Sequence, residues 1–142
     1  MHDASTSPAR LLITRLAACG LVVGALLATP TVWAQPVTCH LAYAGATRSF
    51  TVAPSRHTDD VPPLVEGSSF TFEVVNRLPP EPGAGVQVRT YAVFADQPFL
   101  IHQASYTHTA AQGLHGFTGL QVVREPLRSN EVSYWCERPP GR

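Results

Sequence analysis

The sequence predicts an all-β fold, a small antiparallel β-sandwich or a barrel of about seven short strands, behind an N-terminal signal peptide. Three observations predict it. Apolar and polar residues alternate in several short stretches, which is typical of strands with one buried face. Eleven of the 13 prolines and eight of the 10 glycines follow residue 34, and they interrupt the chain too often for long helices. Two cysteines stand near the two ends of the same region.

The first 34 residues have the three regions of a secretion signal. A mostly polar start reaches Arg15, an apolar run of thirteen residues follows at 16–28, and small or apolar residues lead to Ala34. A membrane span needs about 20 apolar residues, so this run is too short to stay as an anchor. We therefore expect cleavage after Ala34, export to the periplasm or the medium, and one mature domain over residues 35–142.

The mature region keeps only Cys39 and Cys136. In an oxidising compartment such a pair predicts a disulfide. Closing a loop of 97 residues stabilises a fold by about 4 to 5 kcal/mol in the chain-entropy model. Both cysteines fall on the apolar face of their strands, so we expect the first and last strands to meet through the core.

The first predicted strands follow from alternation. Residues 37–43 place Val, Cys, Leu and Tyr on one face, and Gly45 ends this strand in a turn. A second strand holds residues 50–52, and the proline-containing segment 54–66 reads as a long connection. The clearest alternation of the whole chain lies at 70–74, where Phe, Phe and Val share a face.

A central hairpin is predicted next, with its turn at 95–98. A later strand begins at Gly116, and in it Leu120 and Val122 are expected to face the core. The last strand carries the second cysteine. The remaining predicted strands cover residues 86–94, 99–108, 116–124 and 132–136.

The segment Tyr134-Trp135-Cys136 resembles the Tyr-x-Cys motif of the sixth strand of immunoglobulin domains. The resemblance covers three residues. It implies an immunoglobulin-like sandwich as one form of the fold and no membership of that family.

Charge excludes one class of partner. The mature region holds eight arginines, no lysine and nine acidic residues, with no run of either sign. Nothing in this distribution attracts a polyanion, so nucleic-acid binding is not expected.

The histidines offer a weak metal site. His108 and His115 flank a loop and could approach each other across it, and a third ligand such as His40 or His57 would be needed. A metal-binding protein is therefore an alternative prediction, whereas no cofactor is expected.

No catalytic motif is present. The segment 67–71 lacks the second glycine of a G-x-S-x-G elbow, and it opens a strand rather than a helix. Both mature cysteines are committed to the predicted disulfide, so no Cys–His pair is available. We therefore predict that the protein is not an enzyme, with a small hydrolase or sugar-binding domain as a further alternative.

Aromatic side chains on the outward faces suggest a binding surface. Tyr91, Tyr106 and Trp135 lie opposite the clearest core positions in the alternation, with Arg89 and Arg124 near them in the sequence. Tyr, Trp and Arg are the residue types enriched at interface hot spots. The sequence thus predicts a binding or accessory module that engages a partner protein with a sheet face or edge.

Overall fold

The structure, a computed structural model, describes residues 34–57, 60–80 and 83–140. The predicted signal peptide lies outside the described residues, apart from Ala34. The described part of the chain contains no helix with the length and apolar character needed to cross a bilayer. The strands are β1 Val37–Tyr43, β2 Ala46–Val52, β3 Val65–Glu66, β4 Phe70–Arg77, β5 Gly85–Phe94, β6 Gln97–Tyr106, β7 Gln121–Arg124 and β8 Glu131–Glu137.

The strands form two antiparallel sheets of four. The first sheet has the order β2-β1-β8-β7, and the second sheet has the order β3-β4-β5-β6. The all-β prediction and its sandwich form are confirmed, with eight strands instead of about seven. The barrel alternative is wrong, because each sheet ends in two edge strands and neither closes on itself.

The disulfide joins Cys39 to Cys136 as predicted. The two residues are direct partners in the β1–β8 ladder, with their Cα atoms 4.0 Å apart. The expectation that the first and last strands meet through the core is therefore wrong, because they are neighbours within one sheet. This also separates the fold from antibody domains, whose disulfide links the two sheets.

Two-residue turns set the register of both hairpins. Ala44 and Gly45 have φ values of 50° and 78° between β1 and β2, and Ala95 and Asp96 have 48° and 60° between β5 and β6. Such turns match the twist of the strands they join. The predicted four-residue turn at 95–98 is too long, because Pro98 already pairs with β5. A proline is tolerated there because β6 is an edge strand.

The predicted strand over 116–124 is wrong in its first half. Gly116 and Gly119 have φ values of 63° and 66°, which hold the chain in turns, and β7 begins only at Gln121. The register is shifted by one residue relative to the prediction, which moves every side chain to the opposite face. Val123 is accordingly buried, whereas Leu120 and Val122 are about half exposed.

The core lies between the two sheets and centres on Tyr134, which is fully buried on β8. Its hydroxyl oxygen lies 2.7 Å from Nε2 of His102 on β6. Burial raises the pKa of the Tyr134 phenol and lowers the pKa of His102. With both groups uncharged, one hydrogen bond joins the hydroxyl and the imidazole across the interior.

This pair predicts a loss of stability in mild acid. Burial holds the pKa of His102 below its ordinary 6.5 in the folded domain. As the pH falls below 6.5, the unfolded chain therefore binds a proton at this residue more readily than the folded domain does. The contribution of His102 to the free energy of unfolding should be fully present above pH 6.5 and should decrease as the pH falls below that value. Urea titrations one pH unit above and below 6.5 measure the decline. The His102→Gln variant should show a smaller decline, and an equal one would contradict the assignment.

Candidate functional site

The five residues of the predicted binding surface are distributed over both sheets. Arg89 and Tyr91 project from β5 on the outer face of the second sheet. There Nη1 of Arg89 lies 2.7 Å from the Glu73 carboxylate, which also accepts from the Tyr91 hydroxyl at 3.4 Å. A second guanidinium nitrogen of Arg89 donates to Gln87. These side chains satisfy one another in a polar network on the sheet.

Trp135 lies on the other sheet, half-buried on its outer face. The His40 ring stacks on it with centroids 4.8 Å apart, and the His115 ring lies 5.8 Å away on a tilted plane. His40 is itself fixed by Ser49 at 2.7 Å and by Glu137 at 3.1 Å. The sequence did not predict that His40 and His115 would meet at one tryptophan.

The remaining two predicted residues add little to either group. Tyr106 is half-buried and packs edge-on against Phe117, with centroids 5.7 Å apart, so its predicted outward position is wrong. Arg124 is exposed at the edge strand β7 and pairs with Glu131 at 2.8 Å, an arrangement that contributes little in solvent. The structure therefore does not bring the predicted set together as one surface.

The candidate metal ligands have other partners. Nε2 of His108 donates to the backbone oxygen of Arg77 at 2.7 Å, which leaves only its other ring nitrogen for coordination. His115 packs against Trp135, as described above. No group of three His, Cys, Asp or Glu side chains able to hold a metal ion occurs among the described residues.

A different feature stands out at β6. This strand is ten residues long and ends the second sheet, so one of its two edges has no neighbouring strand. It contains no Asp, Glu, Lys or Arg. Edge strands usually carry such charges, which discourage pairing with another chain. Two features of β6 still discourage pairing: Pro98 near its start, and a bulge at Ile101, where the register with β5 shifts between Thr90 and Tyr91.

Large apolar side chains surround the start of this strand. Phe94, Phe99, Leu100 and Leu127 are between 50% and 74% exposed. Leu100 pairs with Tyr91 and faces the outer side of the second sheet. We refer to the other three as the edge cluster. The edge cluster lines a cavity of about 160 Å³, together with Ala92, Ile101, Glu125 and Pro126. Exposed apolar patches rimmed by polar residues mark interaction sites in soluble proteins.

The loop that carries Leu127 is firmly held. Glu125 is buried and accepts from Nε of Arg128 at 2.9 Å and from Asn130 at 3.2 Å. Arg128 also donates to the backbone oxygen of Val93 and lies 5.8 Å from the centre of the Phe94 ring. The edge cluster is thus presented on a fixed framework, which lowers the entropic cost of binding.

Comparison with known proteins gives no relative. No protein-family model, curated protein or solved structure matches the chain.

A functional proposal for this chain therefore rests on the geometry of β6 and the edge cluster. Sequence reasoning missed the edge cluster because alternation along one strand does not show that Phe94 ends β5 beside an exposed turn, where nothing covers it. One sign of the site was visible in the sequence. The predicted return strand of the hairpin, at 99–108, contains no Asp, Glu, Lys or Arg.

Proposed function

We propose that the mature domain is an exported, non-enzymatic binding module that engages a partner protein through β6. The observation that carries the proposal is the uncharged open edge of β6 beside the exposed edge cluster. The Cys39–Cys136 disulfide is typical of an oxidising compartment outside the cytoplasm. With the leader predicted from the sequence, it supports a periplasmic or secreted location.

Strand addition is the mode of binding that this edge supports. An extended segment of the partner would pair its backbone with the free N–H and C=O groups of β6, which supply affinity without regard to sequence. Alternate side chains of that segment would face the edge cluster. One apolar side chain could enter the cavity beside Phe99 and Leu127, which would supply selectivity.

The chemistry of the site supports binding and not catalysis. Its lining is apolar except for Glu125, whose carboxylate already accepts two hydrogen bonds from Arg128 and Asn130. An acid or base that works on a substrate needs a carboxylate within reach of a reacting atom. The surface here offers contact area and backbone hydrogen bonds.

Site-directed photo-crosslinking tests the proposal in the producing organism. A photoreactive amino acid at Leu100 should give one discrete adduct with another protein. Phe99→Lys in the same chain should reduce its yield about tenfold or more, because loss of an aromatic anchor commonly costs at least that factor. Leu114→Lys is the matched control, since Leu114 is 94% exposed and lies outside the edge cluster.

Two results would overturn the proposal. One is an adduct whose yield does not respond to Phe99→Lys while that variant keeps the melting temperature of the native domain. The other is an adduct of twice the mass of the mature chain, because it would replace the partner protein by a second copy.

A further inference from the structure

A second candidate site lies on the opposite side of the sandwich, where β2 and β3 form the edges of the two sheets. Two adjoining cavities open there. The inner cavity measures about 150 Å³ and reaches core side chains of both sheets, including Phe72 and Val132. The outer cavity measures about 410 Å³ and opens beside Ala46 and Arg48. Leu41, Tyr43, Val65 and Gly67 line both, so the two cavities form one slot.

The slot exists because the second sheet is short at this side. β3 has only two residues, which pair with Phe72 and Thr71 of β4. Most of β2 faces no strand of the other sheet, and Ala46 to Ser49 are exposed. The two sheets are therefore uncovered between β2 and β3, and the core can be reached from solvent along this line.

Arg48 stands on the inner face at the mouth of the slot. It is the direct partner of Leu41 in the β1–β2 ladder, and paired residues of an antiparallel ladder point to the same face. Leu41 is buried towards the core, so Arg48 is directed over the gap between the sheets. In the described part of the chain its guanidinium has no hydrogen-bond or ion-pair partner.

The acidic residue of the slot belongs to the opposite face. Glu66 pairs with Thr71, whereas Val65 pairs with the inward Phe72. Because side chains alternate along a strand, Glu66 is directed to the outer face of the second sheet. Glu66 therefore lines the outer cavity from an outward-directed position, and the charge directed between the sheets is the positive charge of Arg48.

The inner cavity fixes the size of the apolar group that would fill it. An apolar cavity of about 150 Å³ accommodates a benzene ring. Its walls are largely aromatic and aliphatic, and Tyr43 meets Phe70 edge-on at 5.4 Å where the inner and outer cavities join. An aromatic ring entering here would find further edge-to-face contacts.

We propose that this slot binds a small aryl carboxylate. The ring occupies the inner cavity, and the carboxylate meets the Arg48 guanidinium, whose fork matches a carboxylate in two parallel hydrogen bonds. This site is independent of the proposed β6 interface, because it lies at the other edges of both sheets.

Amide chemical shifts of the mature domain, titrated with 3-phenylpropionate, test the proposal. Saturable shifts are expected at residues 41–48 and 65–72 and not at the edge cluster. The neutral amide, 3-phenylpropanamide, should bind about tenfold or more weakly, since a charged hydrogen bond of this kind contributes at least that factor. Propionate, which lacks the ring, should give no saturable shift.

Variants test the carboxylate-binding part and the ring-binding part of the slot separately. Arg48→Gln should raise the Kd for 3-phenylpropionate about tenfold or more. Arg124→Gln is its matched control, because it makes the same change of charge at the other edge of the same sheet and should leave the Kd unchanged. Val65→Phe should raise the Kd by placing bulk where the two cavities join, and its melting temperature shows whether it folds.

Three results would overturn the proposal. The first is the absence of saturable shifts along the slot with 3-phenylpropionate. The second is equal affinity for the acid and its amide in the native domain. The third is an unchanged Kd in Arg48→Gln together with self-association of that variant, because it would assign Arg48 to keeping the β2 edge unpaired.

Discussion

Replacing Cys39 and Cys136 together by alanine is expected to lower the free energy of unfolding by about 4 kcal/mol. The disulfide joins residues 97 positions apart. Without it, the unfolded chain regains the conformational entropy that closing a loop of this length removes. The double replacement avoids a lone reactive thiol. Both side chains are fully buried, and alanine at each position also removes a small amount of apolar contact.

Urea unfolding of the native and double-alanine domains measures this effect as a shift of the midpoint. Native protein unfolded with an excess of thiol reductant is the internal control, and it should lose a similar free energy. The entropic account would fail if the double variant kept the native midpoint while mass spectrometry showed the bond intact in the native protein.

The second large effect is expected at Gly116, where alanine should destabilise the domain by about 3 kcal/mol or more. Its φ of 63° is costly for any residue with a Cβ. The Cβ of alanine would lie 2.0 Å from the backbone oxygen of Cys136. That oxygen accepts the Phe117 N–H at 2.9 Å, so relieving the clash would also strain this hydrogen bond.

Two other glycines separate the causes. Gly45 has a φ of 78° with no atom within 4 Å of a built Cβ, so Gly45→Ala should cost about 1 kcal/mol from backbone strain alone. Gly113 has an ordinary φ and 4.0 Å of clearance, so Gly113→Ala should leave the midpoint nearly unchanged. A Gly116→Ala variant no less stable than Gly45→Ala would contradict the close approach to Cys136.

Alternation along single strands was enough to find most of the elements. It located β1, β4 and β8, because buried and less buried side chains alternate along most of each of these strands. It failed at residues 116–120, where two glycines hold the backbone at positive φ. Alternation with a period of two carries no information about such turns. The resulting one-residue error in register led to the wrong prediction that Leu120 and Val122 face the core.

The candidate sites depend on features that no single strand contains. Whether β6 is an edge follows from the order of strands in the second sheet, and Arg48 points inwards only because it pairs with Leu41. The same holds for the meeting of His40, His115 and Trp135. Each of these facts joins residues far apart in the sequence.

The sequence by itself determined the all-β class and the pairing of Cys39 with Cys136, and it predicted a leader. It could do so because alternation, leader composition and the number of thiols are local or countable properties. Only the tertiary structure decided that the disulfide lies within one sheet, that β6 and its apolar neighbours stay uncovered, and that a slot opens beneath β2. Those outcomes depend on which strands become neighbours, and strand order is set by packing across the whole domain.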